Sequence, residues 1–147
     1  MRGDVANEIA RPDVGRQARG DLIMSRVLLI DDNQDHVDFM RQVLRTDGHE
    51  SAWAPDGKEG LALLRQFRPE LIICDVIMPY LGGYAVLETV RADPEFSGVP
   101  VLLFSAAMNE EDRAVGLQRG ATEVLTRPFS SEQLRDGIRR CLRQERK

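Results

Sequence analysis

Five side chains stand where short apolar runs stop. Val27-Leu28-Leu29-Ile30 is followed by Asp31-Asp32, Leu71-Ile72-Ile73-Cys74 by Asp75, Val99-Pro100-Val101-Leu102-Leu103-Phe104 by Ser105, and the weaker run Glu123-Val124-Leu125-Thr126 by Arg127-Pro128. Three carboxylates gathered in one place repel, and at least one keeps its proton unless a cation joins them. Oxygen donors with no thiolate or imidazole among them favour a hard divalent ion. Magnesium suits, because it keeps waters and shares its shell with phosphate oxygens. The Ser105 hydroxyl can donate to an incoming anion, and the Arg127 guanidinium can neutralise it through two parallel hydrogen bonds. A metal, a carboxylate nucleophile, a hydroxyl and a cation are the parts needed to bind and transfer a phosphoryl group.

These residues meet only if the runs that carry them lie side by side. Near-continuous apolar runs of four to six residues suit strands buried on both faces of a parallel sheet. A still weaker run, Ser51-Ala52-Trp53-Ala54, supplies a fifth strand. The stretches between read as helices. Residues 35–46 place Val37, Met40, Val43 and Leu44 on one face, and Gly48 suits the helix end. Asp56 and Glu59 form an acidic capping box before Leu61, Leu63 and Leu64. Residues 84–91 carry Val86, Leu87 and Val90, and Asn109 caps a helix with Val115 and Leu117. Ser130 and Gln133 form a capping box before Leu134, Ile138, Cys141 and Leu142. Strict alternation of five strands and five helices implies right-handed crossovers and a doubly wound α/β sheet. In such a sheet ligands bind beyond the carboxyl ends of the strands, which puts all five side chains in one crevice.

At these residues the sequence resembles a known family, the receiver domain of bacterial two-component response regulators, and is similar to the single-domain chemotaxis type. The matching segments are Val27 to Asn33, Asp75-Val76-Ile77-Met78-Pro79 with Gly83, Phe104-Ser105-Ala106, Gly120-Ala121 and Thr126-Arg127-Pro128-Phe129. The intervals fit too: 43 residues from Asp32 to Asp75, 30 more to Ser105 and 22 more to Arg127. The resemblance implies a flavodoxin-like (βα)5 sandwich with strand order 2-1-3-4-5. It implies that Asp75 is the phosphoacceptor, supplied by a sensor histidine kinase or a histidine phosphotransfer protein. Asp31, Asp32, Asp75 and the backbone carbonyl of Ile77 would hold Mg²⁺, and Ser105 would contact the phosphoryl group as the switch hydroxyl. The output would be a changed surface on the fourth helix, fifth strand and fifth helix, offered to a protein effector or to a second copy of the chain.

Two positions depart from the family pattern. Arg127 replaces the usual lysine, and neither Lys58 nor Lys147 is placed to substitute. A planar fork takes more room than a point charge, so the rate of phosphorylation or its coupling to the switch is expected to change. Val124 replaces the usual aromatic, which leaves no large ring to swing. A degenerate receiver, with Arg127 in a standing salt bridge to Asp75 and a phosphate-independent binding role, is the alternative. A phosphohydrolase is disfavoured, because Ile77 occupies the place of the second catalytic aspartate; slow self-phosphorylation and self-dephosphorylation remain. Singly, each residue has a plainer role: Asp31-Asp32 capping the first helix, Asp75 opening a turn before Pro79, Ser105 capping a helix, Arg127 lying on the surface. Those roles do not explain a shared location at strand ends.

Composition narrows the rest. The chain has 147 residues, 42% of them hydrophobic and 30% charged, which fits one globular core. A net charge of −4 disfavours sequence-independent nucleic-acid binding. No G-x-G-x-x-G follows the first strand, so a dinucleotide enzyme is disfavoured as well. No run of 18 apolar residues is present, so no membrane insertion is expected. With two cysteines and two histidines, a disulfide framework or zinc site is not expected, and a cytoplasmic setting is. Residues 1–24 are polar and without period, and read as a tail or linker, with Met24 as an alternative start; 25–147 is the receiver domain. No DNA-binding segment fits after it, so direct DNA binding is not expected. His36 reads as a surface histidine, Cys74 and Cys141 as core residues, and Gly82-Gly83 as suppliers of unusual backbone angles. Trp53 is given no role.

Overall fold

The computed structural model describes residues 25–78, 81–106 and 109–145, with Gln144 and Glu145 by backbone alone. The tail expected over 1–24, Met24, Pro79 and Lys147 lie outside the described residues. The elements run β1 (Arg26–Ile30), α1 (Gln34–Thr46), β2 (Glu50–Ala54), α2 (Gly57–Phe67), β3 (Leu71–Asp75), α3 (Gly83–Ala92), β4 (Val101–Ala106), α4 (Glu110–Gln118), β5 (Glu123–Arg127) and α5 (Ser131–Glu145). All strand pairs are parallel, in the order β2-β1-β3-β4-β5. The doubly wound sheet and its flavodoxin-like order are as expected.

The apolar runs form the centre of the core. Every residue of β1 after Arg26, of β3 before Asp75 and of β4 before Ser105 is buried. Helices cover both faces with the residues their periodicity assigns: Val37, Met40, Val43 and Leu44 from α1, and Val86, Leu87 and Val90 from α3. Caps set the helix starts. Ser130 and Gln133 exchange hydrogen bonds at 3.0 and 2.8 Å, and Asn109 and Asp112 do the same at 2.8 and 3.2 Å. Gly120 ends α4 at φ +114°, which a side chain rarely adopts, and its carbonyl accepts from the Arg91 guanidinium at 2.8 and 3.0 Å.

Three expectations change. The fourth strand begins at Val101, not Val99, because Pro100 has no N–H to give the ladder; it continues through Ser105 to Ala106. Gly82-Gly83 supply no unusual angle: Gly82 is extended at φ −80° and Gly83 opens α3. They are needed for close approach, since a Cβ on Gly83 would lie 2.5 Å from the Asp75 carbonyl oxygen. Finally, α4 buries Gly116 against Val124, while Val115 and Leu117 face outward.

Candidate functional site

Register decides which side chains meet. Ile30 pairs with Cys74, so Asp31 and Asp75 follow as the next step on adjacent strands. Asp75 pairs with Phe104, so Ser105 comes one step later, and Ser105 pairs with Thr126 just before Arg127. The sheet thus delivers Asp31, Asp75, Ser105 and Arg127 to one edge, as the sequence predicts.

Asp31 is fully buried, and its backbone is fixed from two sides. Its N–H donates to Ala54 O at 3.1 Å, and its carbonyl accepts from Trp53 Nε1 at 2.8 Å. Trp53 therefore has a role the sequence reading did not assign: it locks the end of β1 from inside β2. The Asp31 carboxylate accepts from the Asn33 N–H at 3.0 Å and lies 2.9 Å from His36 Nδ1. Asn33, and neither aspartate, caps α1, accepting from the His36 N–H at 3.1 Å.

His36 belongs to the site and is not a plain surface residue. Ligating atoms of Asp31, His36 and Asp75 all lie within 4.8 Å of one another. The only sequence signal for it is position: His36 is in the first turn of a helix that starts directly after the acidic strand end. Asp32 is exposed and stands outside this close group, although its charge reaches both Asp31 and Asp75. Ile77 is 74% exposed, and its N–H donates to Asp75 Oδ1 at 3.1 Å.

Burial raises the Asp75 carboxyl to about 6; the Ile77 N–H opposes this, while the Asp31 and Asp32 charges add to it. Burial raises Asp31 too, against the hydrogen bonds from Asn33 and His36. Two crowded carboxylates with raised proton affinity form a place where positive charge is wanted. Arg127 does not supply it. Its guanidinium lies 5.7 Å from the centre of the Phe129 ring and makes no ion pair with Asp31 or Asp75. The standing Arg127–Asp75 salt bridge that the degenerate reading requires is therefore not formed. Ser105 is buried at the edge.

Gly83 keeps the β3 end in place. Its N–H donates to Val76 O at 2.8 Å, and α3 presses on the Asp75 backbone there. Gly83→Ala is expected to cost about 1–3 kcal/mol, because backbone and not a flexible side chain must yield. Urea unfolding would measure this, and an unchanged midpoint would show that α3 can move away freely.

A doubly wound parallel sheet with paired carboxylates at its carboxyl edge has the build of a flavodoxin-like signalling domain. The chain belongs to the response regulator receiver domain family, whose model matches residues 27–139, and so has a phosphoacceptor role in two-component signalling. It is similar to Protein PilH of Pseudomonas aeruginosa, with 32% identity over 111 residues covering 76% of this chain and 92% of that one. It is similar to the DNA-binding response regulator MtrA of Mycobacterium tuberculosis, with 32% identity over 123 residues covering 84% and 53%. The chain thus spans about half the length of the MtrA relatives it matches. Among solved structures, the chemotaxis protein CheY4 of Vibrio cholerae superposes with TM-score 0.76 at 32% identity, covering 81% of this chain and 99% of that one. Among the described residues, no helix is long and apolar enough to cross a membrane.

Proposed function

We propose that Asp75 takes the phosphoryl group, with a phosphohistidine on a sensor histidine kinase or histidine phosphotransfer protein as donor. The observation that carries this reading is the Asp31–His36–Asp75 group at the carboxyl edge of the sheet, with both carboxyls raised. Asp75 Oδ1 is held by the Ile77 N–H, which leaves Oδ2 to attack phosphorus. A P–O bond forms, the P–N bond of the donor breaks, and the leaving imidazole nitrogen keeps the electron pair and takes a proton from water. The residues fit Mg²⁺: Asp31 and Asp75 offer oxygen, and Asp32 and the Ile77 carbonyl complete the set the family resemblance implies. When bound, the ion supplies positive charge for the phosphoryl oxygens. Ser105 donates to those oxygens, and Arg127 neutralises them once it leaves the Phe129 ring. The chain is then a signalling phosphoacceptor, with at most slow turnover.

We take the receiver domain as residues 25–147 and residues 1–24 as a tail, supported by the family match and by β1 starting at Arg26. Output runs through α4, β5 and α5 to a protein effector or a second copy, supported by the outward-facing Val115 and Leu117. DNA binding is a property in the name of the MtrA relatives, which extend well beyond the match. We take the setting as cytoplasmic, where a histidine kinase would supply the donor.

The test is incubation with acetyl phosphate and Mg²⁺, followed by mass measurement for one phosphoryl adduct. Absence of an adduct, where a control receiver is modified, would sink the reading. Arg127→Lys in the same assay is expected to change the rate or the adduct lifetime by up to about tenfold, the worth of one charge-assisted hydrogen bond. If both stay unchanged, Arg127 has no part in the chemistry.

A further inference from the structure

A second polar cluster lies at the opposite end of the sheet from Asp75. A groove of about 400 Å³ runs between the end of α1, the approach to β2 and one face of α5. That volume is within the range of small-molecule pockets. Its floor is apolar, formed by Ile138 and Leu142. Its wall is a row of cations, Arg135, Arg139 and Arg143, one turn apart on α5. Asp47 is the only acid among the described residues that line it, and both its oxygens accept from Arg135 Nε at 3.0 and 3.2 Å. Arg139 touches Asp136 at 3.5 Å, an exposed pair of the kind worth little. No described residue pairs with Arg143. The groove is thus a positive spot on a chain whose net charge is −4.

His49 also lines the groove and can add a donor to the guanidinium row. It is 6% exposed, and its Nδ1 is sealed from solvent with no hydrogen-bond partner. Sealing a bare N–H costs more than sealing a lone pair, so the proton belongs on Nε2. No described residue hydrogen-bonds Nε2, and His49 lines the groove. Burial holds the imidazole below its ordinary pKa against the charges of Asp47 and Glu70, which keeps the ring neutral and Nε2–H a donor.

We propose that this groove binds a small organic anion, a phosphate or carboxylate on an apolar body. Arg139, Arg143 and the Nε2–H of His49 hold the anion, and Ile138 and Leu142 carry the body. Each feature has a use in that complex: one guanidinium held only by a weak exposed pair and one with no partner among the described residues, an imidazole donor, and an apolar floor beside them. The site is independent of Asp75 and lies outside the phosphoacceptor chemistry.

The full chain carries its own reporters, because its two histidines, His36 and His49, mark one site each. Imidazole nitrogen–proton NMR spectra are recorded for the metal-free protein. Inorganic phosphate, citrate and adenosine monophosphate are then titrated in to millimolar levels. The expected result is an Nε2–H tautomer for His49 and a saturable shift of its signals that survives in Asp75→Asn. Either adenosine monophosphate or citrate should bind at least about tenfold more tightly than inorganic phosphate, from the area it rests on the floor. Whichever binds tighter identifies a phosphate or a carboxylate head. Arg139→Gln with Arg143→Gln, two exposed changes that keep good helix formers, should abolish the shift. His49→Phe removes the sealed polar atom, so it should raise the unfolding midpoint while losing the ligand. The proposal is overturned if His49 does not respond to any probe, if the double arginine variant responds as the parent does, or if inorganic phosphate binds as tightly as both organic anions.

Discussion

Asp75→Asn is expected to take up no phosphoryl group and, in metal-free buffer at neutral pH, to be more stable than the parent. The first part follows from chemistry, since an amide cannot form the acyl phosphate. The second follows from linkage. The folded Asp75 carboxyl titrates at about 6 against 3.8 for an unperturbed one, mainly through burial and then through the charge of Asp31. A raised carboxyl pKa means that the fold holds this proton more tightly than the unfolded chain does. Below about pH 4 both states are protonated, and Asp75 costs nothing. As the pH rises from about 4 to about 6 the unfolded chain gives its proton up while the fold still holds it, so stability falls and then levels off above about 6. The shift sets a ceiling of about 3 kcal/mol at neutral pH. Asp75 is only half-buried, so solvent screening brings the expected gain from Asn to about 1–2 kcal/mol. Urea midpoints of parent and variant should coincide near pH 4 and separate by about pH 6.5. Saturating Mg²⁺ should close or reverse the gap, because it stabilises the parent by mass action. A gap that does not vary with pH would show that Asn acts by packing. A phosphoryl adduct that persists in the variant would move the acceptor elsewhere.

The carboxyl-edge residues were legible because a parallel sheet marks its own strand ends. Strands buried on both faces read as apolar runs, and the first polar residue after each run must lie at the rim. Asp31, Asp75 and Ser105 were found in this way, and the structure brings them to one edge. The method does not say how a side chain turns after leaving the rim. Asp32 follows Asp31 in sequence but stands outside the close group, exposed in the bend after β1. His36 was set aside because a helix start carries no signal for which strand end its side chain meets. Trp53 and Asp31 are 22 residues apart, and a bond from an indole to a backbone carbonyl leaves no pattern in either residue type. Gly83 was read as a need for unusual angles when the need is room, because crowding by the Asp75 backbone exists only once α3 is packed. Arg127 was read for its charge and for the room its planar fork takes, and its resting place over Phe129 depends on a ring two residues along that adopts no sequence-visible pose.

Phe104→Ala is expected to be the most damaging single truncation near the site. Phe104 is 0% exposed, and its loss should cost about 3–5 kcal/mol, as for other fully buried rings. The position matters as much as the size. Its ring meets Phe129 edge-on at 5.8 Å and 85°, and meets His36 at 6.4 Å and 74°. Its carbonyl accepts from the Val76 N–H at 2.9 Å, directly after Asp75. One side chain therefore backs the imidazole beside Asp31 and the ring on which Arg127 rests, while its backbone steadies the strand end that carries Asp75. Truncation should loosen all three, so phosphoryl uptake should fall even at temperatures where the variant is folded. Phe104→Leu retains most of the volume and should cost about 1–2 kcal/mol. It keeps the packing but removes both edge-on ring contacts, so it separates the two roles. If Phe104→Leu phosphorylates at the parental rate while Phe104→Ala does not, volume alone supports the site. If both are slow, the ring contacts to His36 and Phe129 are what hold the carboxylate group in working order.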